Sequence, residues 1–209
     1  MNGKEIFDNR HSLWSSELAR NGHDPVLLQC DYEIIRFVDV LLEKLCNRRL
    51  VLEIGLGFGG SHLLWKQMFQ RVVSVTNLAN DIELFQPGLA SQANSFFVLA
   101  DSTKPECLVE IKKVTAGVPI DFLLIDGSHQ YEDVRSDFLT FAPLVAVGGI
   151  VAFHDADHWR IFGIKQFVDE LKQGHPLVGS AQIHLIKAPP GQTHPHEGSC
   201  GIAYYQVGS

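Results

Sequence analysis

No run of apolar residues approaches the roughly 20 that a membrane-crossing helix needs, so helical membrane proteins are excluded as a class. The first residues, Met1-Asn2-Gly3-Lys4-Glu5-Ile6, lack the apolar core of a secretory leader. Cysteine is sparse: Cys30, Cys46, Cys107 and Cys200 are far apart and form no Cys-x-x-Cys pair. This argues against a zinc knuckle or disulfide scaffold and for buried thiols in a reducing cytoplasm. Positive charge is also in deficit, with 17 basic against 24 acidic residues and a net charge of −7. Such a balance does not suit tracking a nucleic-acid backbone, so no nucleic-acid or membrane partner is expected. No internal repeat is visible.

What the chain does have is strand–helix alternation. Its 209 residues are 45% hydrophobic, enough for one well-buried domain and too few for two comfortable ones. Strands are expected at Leu50–Ile54, Val72–Val75, Phe96–Leu99, Phe122–Ile125, Ile150–Phe153, Ile183–Ile186 and Ile202–Tyr205. The first five are nearly continuously apolar, as strands covered on both faces are. Helical spacing recurs between them. Ser61 to Phe69 is helix-compatible, Thr103 with Glu106 reads as a capping box opening Lys104–Lys113, and Tyr131–Phe141 carries one apolar side. Ile161, Ile164, Val168 and Leu171 form a further stripe, stopped by Gly174 and Pro176. Ile34, Val38, Leu41, Leu42 and Leu45 form another ahead of the first strand, suited to the chain's own sheet or to a second subunit in a homo-oligomer.

The expected fold is α/β: a Rossmann-like, doubly wound, mostly parallel seven-stranded sheet with an antiparallel last strand. Residues 1–48 form an N-terminal helical extension, and 49–209 the α/β core of the same domain. Ala188–Ser199, with His194 and His196, has loop composition and reads as a surface loop or lid.

The segment Val51-Leu52-Glu53-Ile54-Gly55-Leu56-Gly57-Phe58-Gly59-Gly60-Ser61 is a strand running into a glycine-rich turn, where a ligand can approach bare backbone. Gly55, Gly57 and Gly60 satisfy Gly-x-Gly-x-x-Gly, so a nicotinamide dinucleotide is one candidate. That fingerprint expects an acid at the end of the second strand, where the chain reads Ser74-Val75-Thr76-Asn77. The other framing, Glu53-x-Gly55-x-Gly57-x-Gly59, resembles the first motif of class I S-adenosylmethionine-dependent methyltransferases. Val98-Leu99-Ala100-Asp101-Ser102 is similar to that family's site beside the adenine. The resemblance implies S-adenosylmethionine as cofactor, bound by Glu53, Gly55, Gly57, Gly59, Ser61, Asn77, Asp101, Ser102 and Asp126. Without the family's ribose-binding acid, Asn77 or Thr76 is left to meet a ribose hydroxyl, without charge assistance.

Two apolar strands also deliver acids and imidazoles to one edge. Asp126 and His129 follow the fourth; His154, Asp155, Asp157 and His158 follow the fifth. Each alone has a structural explanation, such as a helix cap or a solvated turn, but packing does not explain the group. Ile125-Asp126-Gly127-Ser128-His129 with Phe153-His154-Asp155 resembles the methyltransferases grouped with cephalosporin hydroxylase and the macrolide-sugar O-methyltransferases. The resemblance implies a divalent metal, Mg or Mn, on Asp126, His154 and Asp155, with His129 as general base. His154 stands where a carboxylate is usual: as a ligand, an imidazole there shifts preference toward Mn²⁺, Fe²⁺ or Zn²⁺, and as a non-ligand it is an acid/base residue or a hydrogen-bonding wall. Asp157 and His158 are expected to shape the pocket or start the next helix, and Trp159 to be a substrate wall or a core anchor.

The expected activity is O-methylation of a small hydroxylated substrate of sugar or natural-product type. An NAD-dependent oxidoreductase and a catalytically silent nucleotide-binding module stay open, the first on the glycine spacing, the second on Asn77 and His154.

Overall fold

The computed structural model describes residues 1–13, 27–83, 93–193 and 199–208. The element order is α1 (Gly3–Asn9), α2 (Asp31–Lys44), β1 (Leu50–Ile54), α3 (Gly60–Lys66), β2 (Arg71–Thr76), β3 (Ser95–Leu99) and α4 (Pro105–Thr115). Then follow β4 (Ile120–Ile125), α5 (Tyr131–Phe141), β5 (Val145–Phe153), α6 (Phe162–Gln173), β6 (His184–Ile186) and β7 (Ile202–Gln206). The seven strands form one sheet in the order β3-β2-β1-β4-β5-β7-β6. β1 to β5 pair in parallel, while β7 runs antiparallel to both β5 and β6. This is the doubly wound sheet with an antiparallel last strand that the sequence predicts.

Strand β4 shows why both faces had to be apolar. Phe122 and Leu124 enter one hydrophobic cluster, Leu123 and Ile125 the other. On the first side Phe122 meets Phe37, Trp65 and Phe69 at ring-centroid distances of 5.5, 5.2 and 6.0 Å. On the second, Phe138 and Phe167 pack around Phe153. Each such ring removed from water contributes roughly 1.5–3 kcal/mol, which holds the helices against the sheet. The stripe on α2 packs on this sheet: Ile34, Phe37, Val38 and Leu41 are buried, and Phe37 also lies against Tyr204.

Several expectations are corrected in detail. Thr103 does not cap α4; the cap position is Lys104, without a side-chain hydrogen bond. Thr103 instead donates through its amide and hydroxyl to Asp101 Oδ1, at 3.0 and 2.7 Å, which engages the amide a capping box would direct to Glu106. Strand β5 begins at Val145, five residues early, and its register against β4 shifts between Ile120 and Phe122. Cys46 is exposed in the α2–β1 connection, whereas the other three cysteines are buried. His194 and His196 lie outside the described residues. No helix among the described residues is long and apolar enough to cross a membrane.

Candidate functional site

Parallel strands end together, so their following residues converge. Backbone bonds beyond the strand ends keep the row in line: Ala100 N to Thr76 O, Gly55 N to Val75 O, Asp126 N to Ile54 O and His154 N to Ile125 O. The order reverses between β1 and β4, where the two neighbouring crossovers leave to opposite sides and open a crevice. There lies a cavity of about 860 Å³, lined by the glycine loop on one side and by Asp126, His129, His154 and Asp155 on the other. Its size suits a nucleoside-sized ligand with a second small molecule.

The loop's glycines do different work. Gly55 has φ +104°, and a Cβ there would stand 2.1 Å from the Asp126 carbonyl oxygen, so β1 and β4 can diverge this closely only around a bare backbone. Gly57, at φ +50°, faces open space. Gly55, Gly57 and Ser61 line the cavity; Gly59 and Glu53 do not. Gly59 is the left-handed residue that turns the chain into α3. Glu53 is fully buried below the loop, accepting from Trp65 Nε1 at 2.8 Å and from Ser74 Oγ at 2.5 Å. Burial pushes its carboxyl up to about 7, against the pull of hydrogen bonds from Ser61, Ser74 and Trp65. It braces the loop from beneath, and its own contacts are with protein.

Asn77, Asp101 and Ser102 line the cavity at the ends of β2 and β3. So does Asp81, four residues past Asn77 and absent from the sequence reading. Thr76 Oγ1 donates to Asp81 Oδ2 at 2.8 Å while accepting from the Leu78 amide at 3.2 Å. The turn thus folds an acid back to the strand end where the linear pattern shows none. The only advance signal was an aspartate within one short turn of a strand-terminal threonine. Gln29, just before α2, was also missed: its Nε2 donates to Asp126 Oδ2 at 2.5 Å, across 97 residues of sequence.

The polar cluster assembles as the strand register dictates. His129 Nε2 lies 3.2 Å from Asp155 Oδ2. His154 Nδ1 lies 3.1 Å from Asp126 Oδ1 and 3.3 Å from Asp155 Oδ2, and the Cys200 thiol stands beside the same buried ring. Asp155 adopts φ +55°, uncommon outside glycine, and this turns its carboxylate back between the two imidazoles. The hydrogen bond to Asp155 raises the pKa of His129, with burial opposing. Burial alone would raise Asp155, but hydrogen bonds from His129 and His154 overcome it and hold the carboxyl well below the usual range. Burial likewise disfavours charge on His154, yet Asp126 and Asp155 raise it well above an ordinary imidazole. Asp126, His129 and Asp155 each offer one ligand-type atom within 4.8 Å of the others, a set of oxygen and nitrogen donors compatible with a divalent cation. His154 presents to that set a nitrogen already engaged by both carboxylates.

The outlying candidates separate from this group. Asp157 pairs with Lys187 at 2.5 Å, and His158 lines the cavity with its Nδ1 accepting from the Arg160 amide. Trp159 is no core anchor: it is 57% exposed, with the Arg160 guanidinium 3.9 Å from its ring centroid.

This sheet order, with a cavity at its reversal and acids at successive strand ends, is that of the Rossmann-like methyltransferase class. The described family "Methyltransferase domain" matches residues 52–156, and the chain belongs to that family of S-adenosylmethionine-dependent enzymes. It is 32% identical over 122 residues to demethylmacrocin O-methyltransferase of Streptomyces fradiae, covering 54% of this chain and 29% of that protein. It is 28% identical over 121 residues to the 8-demethyl-8-alpha-L-rhamnosyl tetracenomycin-C 2'-O-methyltransferase of Streptomyces olivaceus, covering 54% and 30%. The chain therefore spans less than a third of the length of these curated relatives. Among solved structures it resembles the MycE methyltransferase of the mycinamycin biosynthetic pathway, in complex with Mg, SAH and mycinamycin VI. The TM-score is 0.62 with 19% identity, over 92% of this chain and 54% of that one. The O-methyltransferase TomG of Streptomyces achromogenes, in complex with SAM, aligns at TM-score 0.63 with 15% identity, over 98% and 90%. These structural likenesses concern the fold. The family match overturns the dehydrogenase alternative.

Proposed function

We propose that the protein transfers the methyl group of S-adenosylmethionine to a hydroxyl of a small natural-product or sugar-type acceptor. The observation that carries this reading is one continuous cavity holding both the glycine loop and the His129–Asp155 pair. The named O-methyltransferase relatives, whose matches cover about half of the chain, support the acceptor class.

The cofactor, when bound, supplies a sulfonium methyl open to in-line displacement. In this reading Gly55, Gly57 and Ser61 meet its methionine part, while Asp101 and Ser102 meet the adenine. Asp81 and Asn77 accept from the ribose hydroxyls, with Asp81 providing the charge that Asn77 lacks. Glu53 and Gly59 shape the loop from outside the cavity. A neutral hydroxyl is a weak nucleophile, so a base must take its proton as the new C–O bond forms. His129 is that base: it is partly exposed at the cavity edge, and Asp155 orients its ring and stabilises the imidazolium that results. Asp126, steadied by Gln29 and His154, completes the wall that positions the acceptor.

A divalent cation fits the donor set, with Asp126 and Asp155 as the groups that would hold it. Its contribution would be to acidify an acceptor hydroxyl. His154 would then steady those carboxylates and not join them as a ligand on that side. We also take residues 1–209 as one unit, since Gln29 and Glu33 of the N-terminal part reach the site and the β7 approach.

Calorimetric titration with S-adenosylhomocysteine tests the cofactor reading, and absence of binding would overturn it. Turnover is tested on a panel of hydroxylated sugars and polyketide glycosides. Binding without turnover across that panel would favour the catalytically silent module. Methylation unaffected by chelator and by Asp155→Ala would remove the metal while leaving methyl transfer in place.

A further inference from the structure

Outside the His129–Asp155 pair and its neighbours, one buried acid stands behind the cavity wall. Asp137, on α5, is 0% exposed. Among the described residues no backbone amide or cationic side chain hydrogen-bonds to its carboxylate. The group that meets it is the Ser102 hydroxyl, which donates to it from the turn after β3. Ser102 lines the cavity, as does Asp133, one helical turn before Asp137. Burial pushes the Asp137 carboxyl up to about 7, against the Ser102 hydrogen bond, with the charges of Asp133 and Asp101 adding to the rise. The buried thiol of Cys107, on α4, also feels its charge. A carboxylate buried with one hydroxyl as partner lowers stability, so packing does not account for it.

We propose that Asp137 is a positioning residue for the cofactor's base: it keeps the Ser102 hydroxyl proton on the protein side and leaves Ser102 facing the cavity as an acceptor. On the methyltransferase reading, on which this rests, adenine lies against Asp101 and Ser102. A serine hydroxyl can donate or accept, and by itself it favours neither an amine nor a carbonyl. With its proton committed to a carboxylate, only oxygen lone pairs remain toward the ligand. The charge on Asp137 strengthens that bond and fixes its direction. The exocyclic amine of adenine donates to such an oxygen, whereas the carbonyl of hypoxanthine sets lone pair against lone pair. Asp101 is an acceptor as well, its Oδ1 already taking the Thr103 amide and hydroxyl. The wall after β3 is thus built for a purine that carries an amino group at this edge.

The test compares S-adenosylhomocysteine with its deaminated analogue, S-inosylhomocysteine, by calorimetric titration of the full chain at a pH where Asp137 is ionised. The unmodified chain should bind the adenosyl compound at least about 10-fold more tightly. Asp137→Leu frees the Ser102 proton to donate to the inosyl carbonyl. It should tighten S-inosylhomocysteine by about 10-fold and change S-adenosylhomocysteine by less than about 3-fold. Asp137→Asn keeps the shape and loses the charge, so it should narrow the preference by a smaller factor, and it decides the matter if Asp137→Leu does not fold. Ser102→Ala should narrow the preference by weakening the adenosyl compound. Equal affinities in the unmodified chain, parallel weakening of both compounds in Asp137→Leu, or an unchanged preference in Asp137→Asn or Ser102→Ala would each overturn the proposal while leaving methyl transfer in place. Failure of the unmodified chain to bind S-adenosylhomocysteine would overturn the methyltransferase reading and this proposal together.

Discussion

At the scale of single residues the base and its partner decide the pH behaviour. His129 accepts a proton only when neutral, and Asp155 raises its pKa above the ordinary 6.5. Activity should therefore fall as pH drops through a value above 6.5. Asp155→Asn removes the main cause of the raised value, so the limb of the kcat/KM profile set by His129 should move to lower pH. His129→Gln should reduce kcat by about 10²–10⁴-fold with little change in S-adenosylhomocysteine affinity, read by steady-state kinetics and calorimetry. Asp81→Ala makes the converse test. Losing a charged acceptor at the ribose should weaken S-adenosylhomocysteine binding by about 10- to 100-fold, with the melting temperature little changed. Asp81 also marks where reading by position fell short. The strand terminus, Thr76-Asn77, carries no acid, but a carboxylate comes from four residues later because a hydroxyl in a turn pulls it back. Asp126, His129 and Asp155 were legible because a strand end constrains where the next residue can go.

At the scale of elements, the β1–α3 connection is limited by backbone contact. A Cβ on Gly55 would meet the Asp126 carbonyl at 2.1 Å, and the backbone there has φ +104°. Gly55→Ala should cost about 3 kcal/mol or more, lowering Tm by roughly 10 °C in a thermal melt. Gly57→Ala, with open space beside it, tests the other role. It should cost less stability while still impairing cofactor binding, since its added methyl enters the cavity. The glycine spacing was readable from the sequence, yet spacing alone did not separate a glycine needed for packing from one needed by a ligand. Helix α4 offers a similar lesson. Thr103 and Glu106 stand at capping-box spacing, but Asp101 accepts from the Thr103 amide that Glu106 would have to receive, and that competition is invisible in a four-residue pattern.

At the scale of the whole molecule, Glu33 joins the N-terminal helices to the far end of the chain. Its buried carboxylate on α2 accepts from the Ala188 amide at 2.8 Å, the Gly201 amide at 2.9 Å and Ser199 Oγ at 2.6 Å. Glu33→Gln would set an amide N–H₂ against these donors. It should destabilise the fold by about 2–4 kcal/mol and speed hydrogen exchange at the Ala188 and Gly201 amides ahead of the sheet. The sequence placed this segment as a helical extension, since the stripe from Ile34 to Leu45 shows an apolar face but not what it covers. Nothing local links residue 33 to residue 201. The sequence by itself determined the alternation of strands and helices, the glycine loop, and which strand ends carry acids and imidazoles. Those follow from local periodicity and from the geometry of parallel strands, which bring consecutive carboxyl ends to one edge. The place of Glu53 under the loop, the inward turn of Asp81, Gln29 and Glu33, and the position of Cys200 beside His154 came only with the tertiary structure. These are contacts between residues distant in sequence or folded back by a turn, and they depend on packing that no local pattern encodes.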